Sequence, residues 1–433
     1  MADIRAFRGT FYNPQAVEDL SRVVAPPYDI IDEKRKTELL SRSPFNIVRL
    51  VMPQTKDDLE FWNSSTTLFR AWKKGEVLIA DGAQCIYIYR QTFAQPGGAR
   101  VSRTGILASL RCKSLSSGDI LPHEKTFPRT RTERLNLLRS CKANFSQIFM
   151  VFRDAEKEVL PLLEGQTSGK AFLELDDDDG VGHQLWRMED PQEISRMAGI
   201  LGEKKLIIAD GHHRYETALN YSGEDAEAAV AGHARAYVSV VLFRSEDPGL
   251  AILPVHRLLR HMPLSMDEAY ERLKDYFDVK VIRHDIGERK GMYGDILKGS
   301  SRPGFVMLTR EGVAHLILRE GVEPSGIIKG SESERWKGLD VPLLHSLVIG
   351  EGLGLDANRL AEKGELYFTP WERTALSDLT DGKAQAAFIV KPARIDEIWD
   401  VAEGGERMPH KSSYFYPKLP SGLVIYDHET AFS

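Results

Sequence analysis

At 433 residues the chain is too long for one ordinary core, so two domains are expected and three are possible. Apolar residues at 42%, charged residues at 28% and a net charge of −6 fit a soluble globular protein, and exclude bulk nucleic-acid affinity while leaving room for a local basic pocket. Three cysteines, Cys85, Cys112 and Cys141, lack metal-ligand spacing and cannot all pair, which points to a reduced, cytoplasmic setting; no run approaches 18 apolar residues, so no membrane span is expected.

The opening MADIRAFRGTFYNP has neither signal-peptide nor transit-peptide character. In VVAPPYDIID (23–32) two adjacent prolines exclude a helix interior and fix a rigid loop able to hold Tyr28 and Asp29 in a pocket. EKRKTELLSRS reads as a helix, NIVRLVMP (46–53) as a strand, and DLEFWNSSTTLFRAWKKGEVL as an amphipathic helix. QCIYIYRQTFA and VSRTGILASLRC, joined by QPGGAR, read as a hairpin. A charged helix and the strand SQIFMVF follow. The acidic LELDDDDGVGHQLWRM runs from loop into strand. Its four aspartates are better read as a solvated turn than as a cation site, because adjacent acids repel and diverge.

The helix PQEISRMAGIL, the strand KLIIAD and the helix HRYETALNYS come next, then the buried strand YVSVVLF and the segment AILPVHRLLR. The character changes near His261. This places one domain at 1–261 and a second α/β module at 262–433, whose C-terminal segment returns toward the site. No repeat of 20–50 residues is present. The element order predicts an α+β or mixed α/β protein rather than a doubly wound sheet.

Chemistry concentrates in five positions of LIIADGHHRYETALNY (206–221). Gly211 permits a sharp turn between strand and helix. The first turn of the helix offers N–H groups and the positive end of its dipole, a ready anion site. Arg214 adds a bidentate guanidinium, and His212 and His213 add donors or a proton shuttle. Asp210 at the strand end can hold a magnesium ion or take a hydroxyl proton. A capped helix with Asp210 as N-cap is the plainer alternative. A metal site of Asp210, His212 and His213 is disfavoured, since adjacent histidines rarely converge on one ion.

Three further stretches carry candidates. In LPHEKTFPRTRTERLNLLRS, His123 and Glu124 precede a proline-broken loop. Arg129, Arg131 and Arg134 then enter a helix at the end where cations are disfavoured, which suggests phosphate contacts. In MPHKSSYFYPKLPSG, Lys411 and Lys418 flank serines and aromatics suited to a nucleotide, although the glycine run of a P-loop is missing. In LPVHRLL, His256 and Arg257 form a second polar pair after a strand, for which helix capping is an equal reading.

Taken together, APPYD, PHEKT with RTERL, ADGHHRY, LPVHR and MPHKSSYFYPK resemble a broad bacterial and archaeal family of unknown-function proteins often labelled ParB-like. The DGHHR turn is similar to the phosphate-binding turn of the ParB/sulfiredoxin superfamily, which includes nucleotide-dependent free serine kinases, CTP-hydrolysing partition proteins and sulfinic-acid reductases. That resemblance implies a ParB/sulfiredoxin-like core with an additional α/β module. It implies a phosphate cradle at Gly211, His212, His213 and Arg214, and a metal or substrate contact at Asp210. The turn lacks the cysteine that sulfinic-acid reduction needs, and no basic helix-turn-helix supports DNA binding, so no nucleic-acid partner is expected.

The expected activity is an ATP- or ADP-dependent kinase acting on a free small hydroxyl compound, with L-serine the leading candidate and Mg2+ implied by the chemistry. Asp210–Arg214 bind phosphates, with Arg134, Lys411 and Lys418 adding charge. Glu124, aided by His123, is the base, and Tyr28 and Asp29 contact substrate. The alternatives are a nucleotide-binding regulatory switch without turnover and a phosphate-ester hydrolase. The sequence gives no oligomeric state.

Overall fold

In this computed structural model, all residues are described except 53–57, 126–128, 226, 228–231 and 283–292, together with the side chains of 58, 59, 61 and 129–131. The chain is mixed α/β, as its element order predicts. It divides into two compact units. The first comprises Met1–Pro122, Thr126–Ala251 and Phe415–Ser433; the second comprises His123–Lys125 and Ile252–Tyr414. Among the described residues no helix is long and apolar enough to cross a membrane.

The first unit is built on a nine-stranded mixed sheet. Its strands are β1 (Ile4–Arg5), β2 (Ile86–Ala94), β3 (Arg100–Arg111), β4 (Ile120–Pro122), β5 (Ile148–Phe152), β6 (Leu173–Asp176), β7 (Gly182–Met188), β8 (Leu206–Asp210) and β9 (Tyr237–Arg244). They run in the order β4-β8-β5-β9-β3-β2-β7-β6, with β1 on β3. Among the described residues, only β8 with β4 and β9 with β5 pair in parallel in this sheet. The β-branched and aromatic runs that predict strands are those of β5, β8 and β9, buried almost throughout.

Six helices of this unit matter here: α1 (Glu33–Arg42), α2 (Val48–Val51), α3 (Asp58–Lys74), α4 (Arg129–Cys141), α5 (Pro191–Gly202) and, after β8, α6 (His212–Gly223). Met197 and Leu201 of α5 and Tyr215, Ala218 and Tyr221 of α6 cover one sheet face, against Ile148, Met150, Ile208 and Val240. A second cluster joins α1, α2 and α3 through Leu39, Val48, Phe69 and Trp72. Helix α4 belongs to both, Leu138 to the first and Leu137 to the second.

One element differs from the sequence reading. Residues 46–53 were expected to be extended, but Val48–Val51 form a single helical turn. Asn46 is the reason. Its side-chain oxygen accepts from Val48 N at 3.0 Å, and its amide donates to Arg22 O at 2.8 Å. A short apolar run does not by itself distinguish strand from buried helix, and this local hydrogen bond decides it.

The second unit has a six-stranded, wholly antiparallel sheet of β10 (His256–Leu259), β11 (Phe277–Ile282), β12 (Gly304–Thr309), β13 (Gly312–Leu318), β14 (Leu366–Thr369) and β15 (Ala386–Ile389). Their order is β11-β13-β12-β15-β10-β14. The short helix α7 (Asp340–Leu343) continues into a π-helix at Leu344–Gly352.

Gly105, in the middle of β3, leaves no room for a side chain. A Cβ there would lie 2.7 Å from the Phe243 ring and 2.9 Å from Leu242 O. Gly105→Ala is expected to destabilise the protein by about 1–3 kcal/mol through overpacking. Equilibrium denaturation measures this, and an unchanged midpoint contradicts it.

Candidate functional site

The turn between β8 and α6 is shaped by two backbone features. The pairing of β8 with β5 shifts register between Ile208 and Asp210, an irregularity of the kind that re-aims a side chain at a strand end. Gly211 then takes φ 91°, ψ 27° and stands as the N-cap of α6. A glycine is required there twice over. The left-handed φ disfavours other residues, and a Cβ would meet the Arg214 guanidinium at 3.0 Å. The N-cap is therefore Gly211 and not Asp210, which leaves the carboxylate for other partners.

Those partners are cations. Arg214 Nη2 donates to Asp210 Oδ2 at 2.7 Å, and Lys418 Nζ donates to Asp210 Oδ1. Arg214 Nη1 also donates to Gln147 O at 2.6 Å and to Ser146 Oγ at 3.0 Å. Asp210 and both cations are largely buried, with side-chain exposures of 16%, 13% and 11%. Charge pairing in such surroundings fixes geometry, because neither partner can leave without stranding the other.

Lys418 reaches Asp210 because its backbone is clamped. Arg103 is wholly buried, and its guanidinium donates to Tyr416 O at 2.8 Å, to Pro417 O, and to Gln91 Oε1 at 2.9 Å. It stacks on Phe149 and Phe243, with Cζ 4.6 and 4.7 Å from the ring centroids. Burial pushes the Arg103 guanidinium down to about 9.

Arg134 enters from α4. Its Nη1 donates to Val51 O at 2.8 Å, and its Cζ sits 3.8 Å from the Tyr28 ring centroid. Burial lowers its pKa against the opposing pull of Tyr28, Glu133 and Asp29. Tyr28 lies in a 3-10 turn directly after the paired prolines. Tyr28, Arg134 and Arg214 line one cavity of about 60 Å³, together with Asn144, Ser146 and Thr217. The sequence did not single out Thr217. Its signal is its place three residues after Arg214, on the same helix face.

Other candidates fall differently. His212 is buried and His213 half-buried at the start of α6, and neither lines the cavity. Asp29 is exposed. The side chains of Arg129 and Arg131 lie outside the described residues. Among the described residues no group of three or more His, Cys, Asp or Glu could hold a metal ion. The donors around Asp210 are ammonium and guanidinium, which suit an anion rather than Mg2+. The aspartate run is a solvated hairpin, with Asp178 paired to Arg35 and Arg42.

His123, Glu124 and Lys411 belong to the second unit. The tripeptide 123–125 bridges Met408, whose N donates to His123 O at 2.7 Å. Glu124 Oε1 accepts from Ser413 N at 2.9 Å and from Ser413 Oγ at 3.1 Å. His123 Nε2 is 2.8 Å from the same hydroxyl. Lys411, at φ 57°, contributes its carbonyl to the buried Arg257, whose Nη2 donates to it at 3.1 Å. Arg257 Nε also donates to His345 Nε2 at 3.3 Å. His256 Nδ1 accepts from Val390 N at 3.3 Å, so the His256–Arg257 pair is built into the sheet and is not a helix cap.

His345 and His256 are both held neutral, pushed down to about 3 and about 4 by burial and by the neighbouring Arg257. A depressed folded pKa gives stability that is present above the unfolded value of about 6.5 and lost as pH falls below it. His345→Gln keeps an acceptor for Arg257 without titrating. The variant is expected to lose less stability than the parent between pH 7.5 and pH 5. Denaturation at the two pH values measures this, and an equal loss in both proteins contradicts it.

A family model described as a protein of unknown function (DUF1015) matches residues 4–342. No curated protein matches the sequence. Among solved structures, a conserved hypothetical protein from Pyrococcus furiosus is 15% identical at a TM-score of 0.35, with 70% of this chain and 90% of that chain covered. A free serine kinase in complex with AMP is 14% identical at 0.34, covering 70% and 88%. SbnI with a C-terminal truncation, from Staphylococcus aureus, is 10% identical at 0.32, covering 72% and 84%. At these scores the likenesses assign no role to any residue.

Proposed function

The chain belongs to the DUF1015 family, and from its site chemistry we propose that it is a nucleotide-dependent phosphotransferase acting on a free small hydroxyl compound, with L-serine the leading candidate. One observation carries the reading. Two largely buried guanidinium groups, Arg134 and Arg214, line a single cavity beside the glycine-capped start of α6. Phosphoryl transfer asks a protein mainly for positioning and charge neutralisation, and this arrangement supplies both. Lys418 holds Asp210, so that Arg214 is fixed at its base. ATP or ADP is the proposed donor, with Mg2+ arriving alongside the nucleotide and no step assigned to a protein-bound ion.

Glu124 is the proposed base. In the transfer, the acceptor oxygen bonds to phosphorus, the bond to the leaving phosphate oxygen breaks, and the hydroxyl proton passes to Glu124. Its carboxylate already accepts an N–H and an O–H from one serine residue, the two donors that free serine also presents. That chemistry supports an amino-alcohol acceptor. The cytoplasm is the proposed setting, since all three cysteines are thiols.

The test is to incubate the protein with Mg2+ and ATP or ADP, with and without a panel of amino acids and polyols. Serine-dependent formation of phosphoserine is expected. Nucleotide binding without transfer to any acceptor sinks the kinase and leaves a regulatory switch. Phosphate release from esters without nucleotide favours a hydrolase. Arg214→Ala is expected to weaken nucleotide binding. Glu124→Gln is expected to retain binding and to lower transfer by about 10²–10⁴-fold; unaltered turnover in that variant removes Glu124 from the role.

A further inference from the structure

Two residues that line the cavity of the first unit each carry a polar atom that the described residues leave unused. Thr217 is 3% exposed and Arg134 is 8% exposed, yet among the described residues neither Thr217 Oγ1 nor Arg134 Nε has a hydrogen-bond partner. Both residues line the same cavity. A threonine inside a helix can turn its hydroxyl back onto the preceding turn's carbonyl, and this one does not. Of the other Arg134 donors, Nη1 donates to Val51 O, and Nη2 lies 4.0 Å from Glu133, an ion-pair distance to a side chain that is 52% exposed. Arg214 has its charge met by Asp210 at 2.7 Å. The cavity is therefore lined by one guanidinium already compensated and by one that, among the described residues, has no close buried carboxylate, with a threonine on the same lining. Native folds satisfy nearly all buried polar groups, so two such atoms on residues lining one cavity mark a place for an acceptor that the described residues do not supply.

Size narrows the class. About 60 Å³ corresponds to roughly four to six water-sized spheres at about 10–15 Å³ each. That is room enough for a group of the size of a phosphate.

We infer that this cavity is a subsite for a single phosphoryl group, gripped through Arg134 Nε and Thr217 Oγ1, which recognises its ligand without the base. The inference rests on the phosphate-binding reading and extends it. Inorganic pyrophosphate and phosphate bind in their own right, pyrophosphate competes with ATP, and adenosine does not bind. Thr217 is the specific donor to test. Valine has nearly the same shape, and no hydrogen bond among the described residues is lost when the hydroxyl is removed.

Isothermal titration of the full chain with pyrophosphate, phosphate, ATP and adenosine tests this, on the parent and on Thr217→Val. The expected result is pyrophosphate binding at one site per chain, about 10-fold weaker in Thr217→Val, with an unchanged melting temperature. Pyrophosphate binding that responds to Thr217→Val supports the subsite even where no phosphoserine is ever formed. Binding of ATP without binding of pyrophosphate overturns the subsite and leaves the nucleotide reading standing. Equal pyrophosphate affinity in parent and variant also overturns it. Binding of neither ATP nor pyrophosphate overturns both.

Discussion

Asp210 accepts from two cations at once, Arg214 four residues along the chain and Lys418 208 residues along it. In a largely buried setting that pairing cannot be loosened on one side without leaving charge exposed to a low dielectric. The rest of the first unit's site is arranged around it. The register shift in β8 turns the carboxylate, and Gly211 lets the guanidinium lie flat over the turn. Arg103, sunk among three aromatic rings, secures the backbone that brings Lys418 in. A turn held this firmly presents Arg214 to the cavity in one orientation. Binding a small anion then requires little reordering of the protein.

The two units use charge differently. In the first, Arg134 and Arg214 share one cavity, and the local sign is positive although the chain as a whole carries −6. In the second, Arg257 is buried more deeply but is surrounded by carbonyls and a neutral imidazole, His345 Nε2 and Lys411 O among them. Burial pushes its guanidinium down to about 9, with Glu124 opposing the shift. Arg257 therefore reads as a structural group that holds the turn at Lys411, and Glu124 as the acid whose hydrogen-bonding capacity faces a hydroxyl.

Much of this was legible in the sequence because it is local. Strong apolar runs such as KLIIA and YVSVVLF specify their own strands, and the glycine after Asp210 announces a turn that only glycine makes easily. Reading Asp210 as an N-cap was the natural local alternative, and it failed because Gly211 takes that position. What was not legible depends on distant partners. Nothing near Arg103 shows that it will clamp residues 416–417. Nothing near Ser413 shows that it will bridge His123 and Glu124. The helical turn at Val48–Val51 looked extended because its side chains are apolar, and the deciding hydrogen bond comes from Asn46, just outside it. Thr217 looked like an ordinary helix residue because its importance lies in a bond that it does not make.

The central claim is that the cavity beside the Asp210–Arg214 turn grips phosphate. A crystal structure with bound ADP tests it most directly. The account predicts the terminal phosphate in that cavity, within hydrogen-bond distance of Arg134 Nε and Thr217 Oγ1. Ordered ADP whose phosphates all lie away from Arg134, Thr217 and Arg214 would contradict it.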